Sequence, residues 1–236
     1  MLYNKNNLLK LFEPSNLSLD TSFSSLDIET FLKPLENIFT KEEYTYAYGA
    51  SKFVIIPNKE NYVIKIPFTG SFQHTGSYCE NEGSLRVVYH PGHDTYNDFE
   101  GAISENCDWD YCAVERERYN KSKIVNLNQC FAEIDLVGYV NEYPIYIQEK
   151  ATTLENAPIR SYSKEETQKT KKLVSHHLNS IDYDWLTDFR LYHGESKLIK
   201  FLTFIHDEEW DDDLRSCNIG YIRKRPILID YSGFFY

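Results

Sequence analysis

Apolar positions alternate or run together through the middle of the chain, and a helical period takes over towards its end. From Tyr44, "YTYAYGASKFVII" has the aromatic and β-branched make-up of a strand, "PNKEN" marks a turn, and "YVIKIPF" resumes the β pattern. Two such runs around a turn cluster predict a hairpin. "DYCAVERERYNKSKIV" predicts a helix, and "FAEIDLVGYV" followed by "YPIYIQEKA" predicts a further strand pair. Helical segments follow, over roughly residues 163–180 and again through "GESKLIKFLTFIHDEEW". In the latter, Leu198, Phe201, Leu202 and Ile205 recur at i, i+3, i+4 and i+7, a single apolar stripe. Two short strands, "IGYI" and "PILIDY", close the pattern.

Ahead of the first strand, residues 26–40 read as a helix interrupted at Pro34. Residues 69–110, rich in Gly, Ser, Asn, Asp and His with weak periodicity, read as a loop-rich insertion. Strands first and helices after predict an α+β chain of two lobes with a cleft between them. The expected division is a helical extension over 1–43, a sheet-rich lobe over 44–150 and a helical lobe over 151–236.

Composition narrows the function classes. A hydrophobic content of 42% over 236 residues allows a real core. The net charge of −11 opposes a phosphate backbone as partner, because non-specific nucleic-acid affinity rests on basic side chains. Five cysteines, an odd number, behind an N-terminus without a signal-like apolar stretch predict reduced thiols and a cytoplasmic location. No apolar run approaches the length of a membrane span. His74, Cys79, His90, His93, Cys107 and Cys112 invite a zinc reading of the insertion, but no C-x₂-C pair occurs there.

The closing stretch breaks a local rule. "HDEEWDDD" sets six carboxylates in seven residues where the last long helix should end, although a helix C-terminus already carries negative partial charge. Such a violation points to a functional site. Asp213 and Asn218 stand five apart across a turn, and Asp230 ends the apolar run "PILI", from which a strand can deliver its carboxylate to the same place. A few oxygen donors of this kind suit Mg²⁺ held together with substrate phosphates.

In order and spacing these pieces resemble the protein-kinase-like superfamily, most closely the short kinase-like proteins of bacteriophages and bacteria. "DLRSCN", Asp213 to Asn218, resembles the D-x-x-x-x-N catalytic loop, and "ILIDYSG" resembles the strand bearing the metal-binding aspartate, with Asp-Tyr-Ser for Asp-Phe-Gly. "VIKIPF" is similar to the lysine-bearing third strand, and residues 47–54 lie in register with the glycine-rich loop, keeping Gly49 and Val54. The resemblance implies a bilobal fold, with an antiparallel-sheet N-lobe carrying one helix and a minimal, mostly helical C-lobe. It implies ATP and Mg²⁺ as cofactors. Gly49, Ser51 and Val54 would cover the nucleotide and Lys65 would hold its phosphates. Glu115, or alternatively Glu117, would pair with Lys65. Glu149 and Ala151 would meet the adenine edge through their backbone. Asn218 and Asp230 would bind the metal, Asp213 would position the acceptor hydroxyl, and Arg215 would steady the transferring group.

The chain also departs from the family. Asp211-Asp212 replace the His-Arg before the catalytic aspartate, and only six residues follow Asp230, leaving no sequence here for an activation segment. On spacing alone, Lys65 between Ile64 and Ile66 also reads as a solvated lysine, and Cys217 reads as a small packing residue. The expected activity is phosphoryl transfer to a protein or small-molecule hydroxyl. The competing expectation is a pseudokinase that engages a partner protein, a basic one given the acidic charge.

Overall fold

The computed structural model describes residues 43–48, 52–67, 110–140, 143–158, 160–174, 181–207 and 214–231. The helix expected over 26–40 and the insertion up to residue 109 lie outside them. Of the described residues, those up to Val114 together with Ile134–Gln148 form one unit, and Glu115–Glu133 with those from Glu149 onward form a second. The fold is α+β, and every strand pair whose register is defined is antiparallel. Among the described residues no helix is long and apolar enough to cross a membrane.

The first unit is built on a five-stranded sheet: β1 (Tyr44–Tyr48), β2 (Lys52–Pro57), β3 (Tyr62–Pro67), β4 (Ile134–Val140) and β5 (Tyr143–Glu149), in the order β1-β2-β3-β5-β4. The run expected as one strand from Tyr44 to Ile56 is two, which pair with each other from Tyr44 opposite Pro57 to Tyr48 opposite Phe53. In the β2–β3 pair, Ile55 faces Ile64 and Val54 faces Lys65. Because side chains alternate along a strand, Ile55, Ile64 and Ile66 share one face while Lys52, Val54 and Lys65 share the other. Helix α1 (Tyr111–Ile124) opens on Asp110, whose carboxylate accepts from the Ala113 amide at 2.9 Å and from the Tyr146 hydroxyl at 2.8 Å. Burial pushes the Asp110 carboxyl above its ordinary range, against those hydrogen bonds and the Lys52 charge. Asn126, at φ 59°, ends α1 in the left-handed conformation, and the Leu127 amide turns back to the Ser122 carbonyl at 2.8 Å.

The second unit continues from α1 and adds α2 (Lys164–Leu173), α3 (Tyr183–His193), α4 (Glu195–Asp207) and a small sheet of β6 (Thr152–Thr153), β7 (Ile219–Ile222) and β8 (Arg225–Leu228) in that order. The four stripe residues of α4 are all buried. They join Trp185, Phe189 and Phe131 in an aromatic core, with Phe201 centred 4.6 Å from Phe189 and 5.6 Å from Phe131. Helix α3 was not expected. Its signals are nevertheless present: Asp182 accepts from the Trp185 amide at 2.8 Å as the N-cap, and Gly194, at φ 89°, ends the helix. The helix expected to run to about 180 has its described part end at Leu173.

A polar network ties α3 to its surroundings. The Asp188 carboxylate, 6% exposed, accepts from Arg160 at 2.7 Å, from Tyr221 at 2.6 Å and from Tyr162. Arg190 donates to Thr170 at 3.0 Å and to Glu166. Burial and the bond to Asp188 push the Tyr221 phenol far up, so it stays a donor. A buried carboxylate is tolerable only when satisfied in this way.

Two positions carry stability predictions. A Cβ added to Gly220 would stand 2.3 Å from the Thr152 carbonyl oxygen, a backbone atom fixed by β6–β7 pairing. Gly220→Ala is therefore expected to destabilise the protein by about 3 kcal/mol or more in urea unfolding, as overpacking against backbone does. His193 closes α3, where the helix dipole favours a charged imidazole, yet burial wins and lowers its pKa to about 4. Its Nε2 donates to the Pro226 carbonyl at 3.1 Å. Because the folded pKa lies below the unfolded value of about 6.5, the unfolded state binds the proton first as pH falls. Its contribution is complete above pH 6.5 and is lost progressively down to about pH 4. His193→Gln should flatten the fall of melting temperature across that window and leave the profile above it unchanged.

Candidate functional site

The closing stretch folds as a hairpin that returns the chain on itself. Leu214 is buried, and the Asn218 amide donates to the Arg215 carbonyl at 2.9 Å, closing a turn that leads into β7. Strand β8 comes back from a tight turn at Arg223 and Lys224, both at positive φ. The return brings the two metal-ligand candidates together: the Asn218 carbonyl accepts from the amides of Ile229 at 2.7 Å and Asp230 at 3.3 Å. Asp230 is half-buried and Arg215 is exposed. Asp213 lies outside the described residues, as do Gly49 and Ser51.

The chain around Asp230 is fixed on its other side as well. Phe131 forms a parallel bridge with Leu228, and the Ala132 amide donates to the Leu228 carbonyl at 2.8 Å. Tyr231 is fully buried with its ring edge-on to Phe131 at 5.2 Å, and its hydroxyl donates to the Ala132 carbonyl at 2.6 Å. Arg118 of α1 donates to the Tyr231 carbonyl at 2.6 Å. Neither Arg118 nor the Tyr231 hydroxyl was singled out from sequence. An "ERER" run reads as a solvated face, and only the position of the next element shows which arginine is buried.

The other candidates divide between the units. Lys65, in the first, is 3% exposed, so the reading as a solvated lysine does not hold: the face of β3 opposite Ile64 and Ile66 is buried too. Lys52, which the sequence did not single out, is buried on that same face, two residues from Val54. In the second unit Glu115 is fully buried, whereas the Glu117 side chain is 69% exposed and pairs with Lys121 at 3.5 Å. The Glu149 amide donates to the Glu133 carbonyl at 2.9 Å, so a ligand can take that hydrogen only by displacing the bond. The Glu149 carboxylate accepts from Arg225 and from the Glu133 amide, both at 3.2 Å. Ala151 follows after Lys150 and leads into β6. Cys217 is exposed rather than packed, with its thiol 3.4 Å from the Asn218 side-chain oxygen. Cys130 is buried, and burial pushes its thiol up to about 12, which removes it as a nucleophile.

Among the described residues no group of three or more His, Cys, Asp or Glu gathers to hold a metal by itself. One carboxylate and one amide are hard oxygen donors that fit Mg²⁺ only where other oxygens, such as phosphates, complete the shell. Burial separates the two helix glutamates energetically. Removing a buried charged group that has partners costs about 3–5 kcal/mol, while an exposed i, i+4 pair is worth about 0.3–0.5 kcal/mol. Glu115→Ala should therefore lower the urea midpoint sharply, with Glu117→Ala close to wild type. No family model, curated protein or solved structure matches the chain.

Proposed function

We propose that the chain is a protein-kinase-like phosphotransferase that uses Mg-ATP. One observation carries the reading: the hairpin β7–β8 sets Asn218 and Asp230 side by side through the Asn218 carbonyl, in an order and spacing that resemble the metal-binding pair of that family. Two further features support it. Lys65 is a buried lysine opposite Val54 on a sheet face, a position suited to holding phosphate oxygens in a low-dielectric setting. Glu115 is the buried member of the two helix glutamates.

In this reading Asn218 and Asp230 hold the divalent ion, and Lys65 binds the α- and β-phosphates. Asp213 accepts the acceptor hydroxyl's proton, and Arg215, exposed beside the loop, steadies the transferring phosphoryl group. Bound Mg²⁺ supplies charge neutralisation on the phosphates. Phosphoryl transfer depends mainly on positioning and electrostatics, so the side chains have little covalent chemistry to perform. The acceptor is a protein or small-molecule hydroxyl.

The test is a thermal-shift titration with ATP, with and without Mg²⁺, on wild type and Asp230→Ala. A ligand that binds only the native state raises the melting temperature by mass action. The expected result is a Mg²⁺-dependent rise in wild type that Asp230→Ala loses. No shift at millimolar ATP would overturn the reading and leave a partner-binding module as the better description.

A further inference from the structure

The tripeptide Ile229-Asp230-Tyr231 is held at three of its six backbone groups and at the carbonyl that precedes it. The carbonyl before it is bound by the Ala132 amide, its first two amides by the Asn218 carbonyl, and its last carbonyl by the Arg118 guanidinium. The Tyr231 hydroxyl closes the set on the Ala132 carbonyl, so Ala132 grips the chain on both sides of Asp230. Of these grips only that of Arg118 is charged, and a charged donor makes a shorter and stronger hydrogen bond than a neutral one. Arg118 is 5% exposed. Taking a guanidinium out of water is unfavourable by several kcal/mol, and its hydrogen bonds must offset that. Losing the Tyr231 carbonyl would remove one such bond, so the arginine biases the segment towards this one conformation.

We propose that Arg118 is a positioning residue for Asp230: through the Tyr231 carbonyl it holds the aspartate beside Asn218 whether or not a ligand is present. The relevance of that orientation to a divalent cation rests on the Mg-nucleotide reading of Asp230. Arg118 touches no reacting atom in this account and acts only through the chain.

The experiment compares amide hydrogen exchange of residues 227–231 in wild type, Arg118→Met, Arg118→Lys and Tyr231→Phe, all without ligand. Tyr231→Phe keeps the ring against Phe131 and removes only the hydroxyl bond, so it measures a neutral grip on the same segment for comparison, while Arg118→Lys remains informative where Arg118→Met folds poorly. The expected result is exchange at Ile229 and Asp230 faster by about tenfold in Arg118→Met, with α3 and α4 unchanged and partial recovery in Arg118→Lys. Wild-type exchange at those two amides in Arg118→Met, or in Arg118→Lys where Arg118→Met folds poorly, would overturn the proposal. Mg²⁺ titrations at fixed ATP add a second readout. Arg118→Met should need about tenfold more Mg²⁺ for half-maximal thermal shift, as loss of a group supporting a metal ligand does. A wild type without any Mg²⁺-dependent shift would sink the phosphotransferase reading, while the exchange comparison would still decide on Arg118.

Discussion

The Asn218 carbonyl is the point on which the closing part of the fold depends. It accepts two successive amides from the chain just beyond β8 and so joins the start of β7 to those residues. Because both amides belong to Ile229 and Asp230, the register of the hairpin and the placement of the Asp230 side chain become one property. A one-residue slip would break both bonds and turn Asp230 to the opposite side. The close pass at Gly220 enforces the same register from the β6 side, since only a residue without a Cβ fits beneath the Thr152 carbonyl.

Charge burial organises the rest of the second unit. Asp188 and Arg190 stand two apart on α3, and each is surrounded by partners from other segments: Arg160, Tyr162 and Tyr221 for the first, Glu166, Thr170 and Glu195 for the second. Such networks contribute less net stability than their bond count implies, because desolvation opposes them. Their effect is to make one arrangement of α2, α3 and β7 far better satisfied than its neighbours. The aromatic core around Trp185, Phe189 and Phe201 supplies the apolar burial, and the Trp185 indole donates to the Gly220 carbonyl at 3.2 Å, linking that core back to the hairpin.

The helix stripe at Leu198, Phe201, Leu202 and Ile205 was legible because a helix period is a local property, and so were β3 and the two short closing strands, the second of which ends at Leu228 rather than Tyr231. The division of the run from Tyr44 into two strands was not, because both have the same β-forming composition. Helix α3 was hidden by its content: Trp185, Phe189 and Tyr192 are poor helix formers by propensity, and tertiary packing overrides propensity there. For the candidate site, the residue types and order around Asn218 and Asp230 could be read in advance. The burial of Lys65, the choice of Glu115 over Glu117, and the grip of Arg118 on the Tyr231 carbonyl could not.

Sequence by itself determined the α+β character, the apolar faces and the list of residues able to carry charge chemistry, since these follow from period and composition. Tertiary structure alone decided which charges lie in water and which do not. A lysine between two isoleucines has two sides to point to, and whether the second side is also covered depends on elements distant in the chain. Arg116 and Arg118 differ by two positions in one helix, and the partner of Arg118 lies 113 residues away. No local pattern encodes that distance, because the bond exists only once both segments have packed.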